Sequence, residues 1–104
     1  MKLSLYLIEM TDTDGYEQSL IVNASSVETA LDFFKDYYEL EGSFLPTKRR
    51  KGSDDWHVKV YGLDYDPSRS GPLMWNWDGD RPLWDGCIGT ANTVWTGSYR
   101  EDDE

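Results

Sequence analysis

Leu3, Leu5 and Leu7 alternate with Tyr6, Ile8 and Met10, so one short run of the chain is apolar on both sides. Successive side chains of a strand point to opposite faces of a sheet. The run Lys2–Met10 is therefore predicted to be a strand with both faces covered, which belongs inside a sheet rather than at its rim. Thr11-Asp12-Thr13-Asp14-Gly15 reads as a turn, Gly15 being free to take a positive φ. Tyr16–Asn23 reads as the return strand, with Leu20, Ile21 and Val22 as its apolar part.

The period then changes. Val27, Ala30, Leu31, Phe34 and Tyr38 recur at helical spacing and predict an amphipathic helix over Ser25–Leu40. Ser25 is the expected N-cap, and Glu28 three residues on completes a capping box. Phe33, Tyr37 and Leu40 widen the apolar side, and Gly42 is the expected stop. Gly42–Asp54 reads as a loop, Trp56–Leu63 as a strand with Trp56, Val58 and Val60 on one face, and Asp64–Pro72 as turn-rich. Leu73–Trp77 and Arg81–Trp84 are expected to pair across Asp78-Gly79-Asp80, because Asp-Gly favours tight hairpins. Pro82 puts the second of these at a sheet edge. Thr93–Tyr99 is a last strand and Glu101–Glu104 an acidic tail.

Two strands, a helix and further strands make an α+β fold: a single domain over residues 1–100, an antiparallel sheet with one helix on a face, and a tail over 101–104. A length of 104 residues suits one core. Aromatic residues make up 14% of the chain, which excludes a disordered acidic tail, since those are aromatic-poor. Cys87 is the single cysteine and has no internal partner, which favours a reducing compartment. Glu9, Asp12 and Asp14 follow the first apolar run too closely for a signal peptide, and nothing approaches a membrane span. A cytoplasmic location is expected.

The net charge is −10, but it is unevenly spread. Residues 1–47 carry −7, residues 52–104 carry −7, and Lys48-Arg49-Arg50-Lys51 is a run of four bases between them. Such a field repels phosphate, so direct nucleic-acid binding is not expected. Glu28, Asp32, Asp36 and Glu39, spaced 4, 4 and 3, fall on one helix face opposite the apolar stripe. At a rise of about 1.5 Å per residue they stand roughly 4.5–6 Å apart along the axis, comparable to successive phosphates of a nucleic-acid strand. The stripe is either a solvated face or an imitation of a polyanion. The basic run reads most simply as a solvated loop that meets acids of its own chain.

Other chemistry is sparse. His57 and Cys87 are the only candidates for a nucleophile–base pair, with no surrounding signature. One His and one Cys do not make a structural zinc site, and the Asp-Gly pairs at 78–80 and 85–86 read as turns rather than a calcium loop. No metal or other cofactor is expected. Trp75, Trp77, Trp84 and Trp95 are interleaved with Asp and Asn in the last third, where each is either core or an exposed partner surface.

In size, charge and element order the chain resembles the small acidic phage-encoded anti-CRISPR proteins and related DNA-mimic inhibitors. The likeness is carried by Leu3–Met10, Tyr16–Asn23 and the acid-striped helix Ser25–Leu40. It implies stoichiometric, non-catalytic inhibition of a nucleic-acid-binding defence complex, such as a CRISPR effector subunit, in a bacterial host's cytoplasm. The expected partner is a basic protein surface, met by Glu28, Asp32, Asp36, Glu39, Asp78, Asp80, Trp75 and Trp77, with the chain a monomer or weak homodimer. The basic run Lys48–Lys51 departs from a uniformly acidic mimic. Two rival classes are a carbohydrate- or small-ligand-binding module using the C-terminal Trp and Asp residues, and a small hydrolase built on His57 and Cys87.

Overall fold

The computed structural model describes residues 3–65, 76–78, 81–83 and 88–101, with the backbone alone at 65, 76–78, 81–83 and 88–90. In chain order the elements are β1 (Ser4–Thr11), β2 (Glu17–Ala24), α1 (Val27–Tyr37), β3 (Ser43–Leu45), β4 (Trp56–Tyr65), β5 (Asn76–Asp78), β6 (Arg81–Leu83) and β7 (Ile88–Arg100). Five strands form one antiparallel sheet in the order β2-β1-β4-β7-β3, and β5 pairs with β6 separately. The α+β architecture with a helix on an antiparallel sheet is the expected one.

β1 is an inner strand between β2 and β4, as its two apolar faces require. On one side Ile8 and Met10 join Val58 and Val60 of β4, Tyr99 of β7 and Ala30, Leu31 and Phe34 of α1 in a buried core. On the other side Leu7 is buried with Leu63, and Leu5, Ile21, Tyr61 and Ala91 surround them. The helix lies over β1 and β2. Rings extend its core across the sheet: Phe34 meets Phe44 of β3 at 6.2 Å, and Phe44 meets Tyr99 at 5.2 Å. Trp56 and Trp95 pack on the same cluster, so Trp95 is core-lining.

The β1–β2 turn is built by Asp12, whose Oδ1 accepts from the backbone N–H of Asp14 at 2.9 Å and of Tyr16 at 2.7 Å, while Gly15 takes φ 85°. The hairpin expected across Asp78-Gly79-Asp80 pairs Asn76–Asp78 with Arg81–Leu83, Asp78 opposite Arg81. The other residues assigned to it, Leu73, Met74, Trp75, Gly79, Asp80 and Trp84, lie outside the described residues. So do Lys2, Asp66–Pro72, Asp85–Cys87 and the tail residues 102–104.

Several expectations are corrected. The N-cap is Ser26, not Ser25: its hydroxyl oxygen accepts from Thr29 N–H at 3.1 Å, and the hydroxyl donates to Thr29 Oγ1 at 3.0 Å. The helix ends at Tyr37, well before Gly42. Its stop is Glu39, at φ 54°, where Glu39 N–H donates to the Asp36 carbonyl and Leu40 N–H to the Lys35 carbonyl. That is the bonding of a left-handed helix terminator, normally a glycine position. Gly42 serves a different contact. A Cβ there would meet the Arg100 backbone, and its N–H donates to the Tyr99 hydroxyl at 2.8 Å. Ser43–Leu45 was expected to be loop and is a strand, because it finds Ser98–Arg100 far along the chain. The last strand begins at Ile88 rather than Thr93, and register shifts against β4 break its alternation. Phe33 and Tyr37 do not widen the buried side; they are 51% and 66% exposed.

Candidate functional site

The outer face of α1 is set by its inner one. Burying Ala30, Leu31 and Phe34 turns Glu28, Asp32 and Asp36 to solvent, and all three are exposed. Among the described residues no hydrogen bond or ion pair holds any of them. Phe33 and Tyr37 form a neighbouring stripe four residues apart, beside Asp32 and Asp36. Two large rings held in water next to unpaired carboxylates are an unusual use of a helix surface, because apolar exposure in contiguous patches marks contact sites. Tyr37 is held edge-on to Tyr38 at 5.0 Å, and the Tyr38 hydroxyl donates to the Ser19 carbonyl at 2.6 Å, which fixes the helix end to β2.

Glu39 does not continue the stripe as a helical residue. Its left-handed backbone ends the period, so the regular spacing covers three acids and not four. Glu39, Glu41 and Glu101 instead line an open cleft beside Tyr99. Asp78 and Trp77 lie on β5, opposite Arg81 and Pro82. Trp75 and Asp80 fall outside the described residues, so the eight expected contact residues are not shown to form one surface.

Asp55 organises the second charged region. It is 3% exposed and is gripped by two guanidinium groups. Arg50 donates from Nε to Oδ2 at 3.0 Å and from Nη2 to Oδ1 at 3.2 Å. Arg100 donates from Nη2 to Oδ2 at 3.2 Å. The Arg50 and then the Arg100 hydrogen bonds hold the Asp55 carboxyl well below the usual carboxylate range. Ser53 closes the loop, its hydroxyl donating to the Arg50 carbonyl at 2.6 Å, with Gly52 at φ 77°. One base of the basic run thus meets an acid of the same chain, as expected. Lys48, Arg49 and Lys51 stay exposed.

His57 sits on β4 opposite Thr11 and Ser98. His57 is exposed, and partial desolvation of its ring, then Lys59 and Arg49, pushes its pKa below the ordinary value. Cys87, its proposed partner in catalysis, lies outside the described residues. Among the described residues no group of His, Cys, Asp and Glu converges as metal ligands, and no helix is long and apolar enough to cross a membrane. Comparison with family models, curated proteins and solved structures finds no match to this chain.

Proposed function

We propose that this chain is a non-catalytic binding protein that docks the outer face of α1 into a basic groove on a nucleic-acid-binding protein and blocks that groove. The observation that supports it is the pairing on one helix of Glu28, Asp32 and Asp36, exposed and without an ion pair among the described residues, with exposed Phe33 and Tyr37. Carboxylates at phosphate-like intervals supply attraction and on-rate. The adjacent rings supply the desolvated anchors that carry most binding energy in protein contacts. The resemblance to small acidic anti-CRISPR inhibitors points to a defence complex in a bacterial cytoplasm as the target class.

The test is capture of basic proteins from a bacterial lysate at low and high salt, followed by competition with DNA. The expected result is a complex that DNA displaces and that the variant E28K/D32K/D36K fails to form while remaining folded by circular dichroism. Undiminished capture by that variant overturns the reading. Salt-indifferent quenching of Trp fluorescence by a sugar would favour the carbohydrate-binding class instead.

A further inference from the structure

We propose that the protein self-associates head to tail, the acidic face of α1 in one copy seating on the basic corner of Lys48, Arg49 and Lys51 in the next. The two surfaces sit on different parts of the fold: the acids on α1, which packs on β1 and β2, and the bases on the loop between β3 and β4. Phe44, Trp56 and Tyr99 point into the helix-side core, so by alternation Leu45 and Arg100 belong to the other side. Asp55 contacts Arg100, and Arg50 on the same carboxylate ties the basic loop to it. Among the described residues no ion pair joins the acids of α1 to these bases within one molecule, whereas they can meet between two copies stacked in the same sense.

The basic corner is preset rather than loose. Asp55 holds Arg50, Ser53 N–H donates to the Arg50 carbonyl at 3.2 Å, and Gly52 makes the bend. Lys48, Arg49 and Lys51 are exposed, and among the described residues no carboxylate pairs with them. The corner holds these three exposed bases in a molecule of net charge −10. Phe33 and Tyr37 on the approaching helix offer ring faces to Arg49 and the lysines. The overall repulsion between two acidic copies acts at long range, and at about 0.15 M salt the Debye length of roughly 8 Å screens it while leaving contact pairs in place. An interface joining different patches leaves one acidic and one basic surface unused on each assembly, so growth does not stop at a dimer unless it closes into a ring.

Sedimentation of the full chain from micromolar to millimolar concentration tests this. At about 0.15 M salt the average mass is expected to rise with concentration, and at about 1 M salt to return to the monomer. K48E/R49E/K51E and E28K/D32K/D36K, folded by circular dichroism, should each stay monomeric. An equimolar mixture should associate again, since each altered surface then meets its complement. Every reversal moves the charge by two, so the variants carry −16 and −4; both are net negative, and bulk attraction cannot restore the pairing. A wild-type mass that stays monomeric throughout, or association that survives in the loop variant, overturns the proposal. K48E/R49E/K51E keeps the acidic helix and still captures a basic partner, so this failure is distinct from failure of the proposed function.

Discussion

Asp55 shows how one side chain can fix a loop, a strand end and a pH response together. With Arg50 and Arg100 on its two oxygens, its charge is needed in the folded state. Its folded pKa is depressed, so the stability it contributes is present above the unfolded value of about 3.9 and is lost as pH falls through the folded one. Asp55→Asn keeps the shape and leaves two guanidiniums without a counter-charge. The variant should unfold at lower urea than the wild type near neutral pH, and the gap should close steadily as the pH drops below about 4. A gap that stays constant with pH would mean that Asp55 acts through packing alone. His57 adds a second acid-sensitive step in another window. Its folded pKa is also depressed, so the neutral imidazole is favoured and stability falls as pH drops from about 6.5 toward the folded value.

The helix illustrates the element scale at its C-terminal end. Glu39 occupies a left-handed position where a Cβ is disfavoured and glycine is normal. Glu39→Gly should raise stability by about 0.5–1 kcal/mol in urea or thermal unfolding, whereas Glu39→Gln, which removes only the charge, should not. Equal gains from both would assign the effect to charge. The same helix shows what could be read from sequence. Its buried stripe was legible because Ala30, Leu31 and Phe34 obey one period, and β1 was legible because both its faces do. Its ends were less so: Ser25 and Ser26 both offer a hydroxyl, and only the reach to both groups of Thr29 selects Ser26. β3 was missed because three residues carry no period, and they become a strand only by pairing with β7. The double grip on Asp55 was not legible because its second partner, Arg100, is 45 residues away. The acids of α1 were legible as a stripe, but the exposure of Phe33 and Tyr37 depends on how far the sheet extends beneath the helix.

At the scale of the whole molecule, folding gathers charge that the unfolded chain spreads out. Glu28, Asp32 and Asp36 share one side of α1, Glu39, Glu41 and Glu101 share one cleft, and the net charge is −10. Self-repulsion of this kind opposes the compact state. It is a surface effect and is screened by salt, whereas the buried grip on Asp55 is screened much less. Added sodium chloride should therefore stabilise the protein, not weaken it. Moving from about 0.01 M to 0.15 M shortens the Debye length from roughly 30 to 8 Å and should raise Tm by about 2–5 °C. E28K/D32K/D36K relieves repulsion along the helix and should gain less from the same salt. The scan belongs at low micromolar protein, because self-association stabilises the folded state by mass action and is itself weakened by salt. Sodium and potassium chloride should act alike, since screening depends on ionic strength; a Tm that falls with either salt would show that attractive surface pairs outweigh the repulsion.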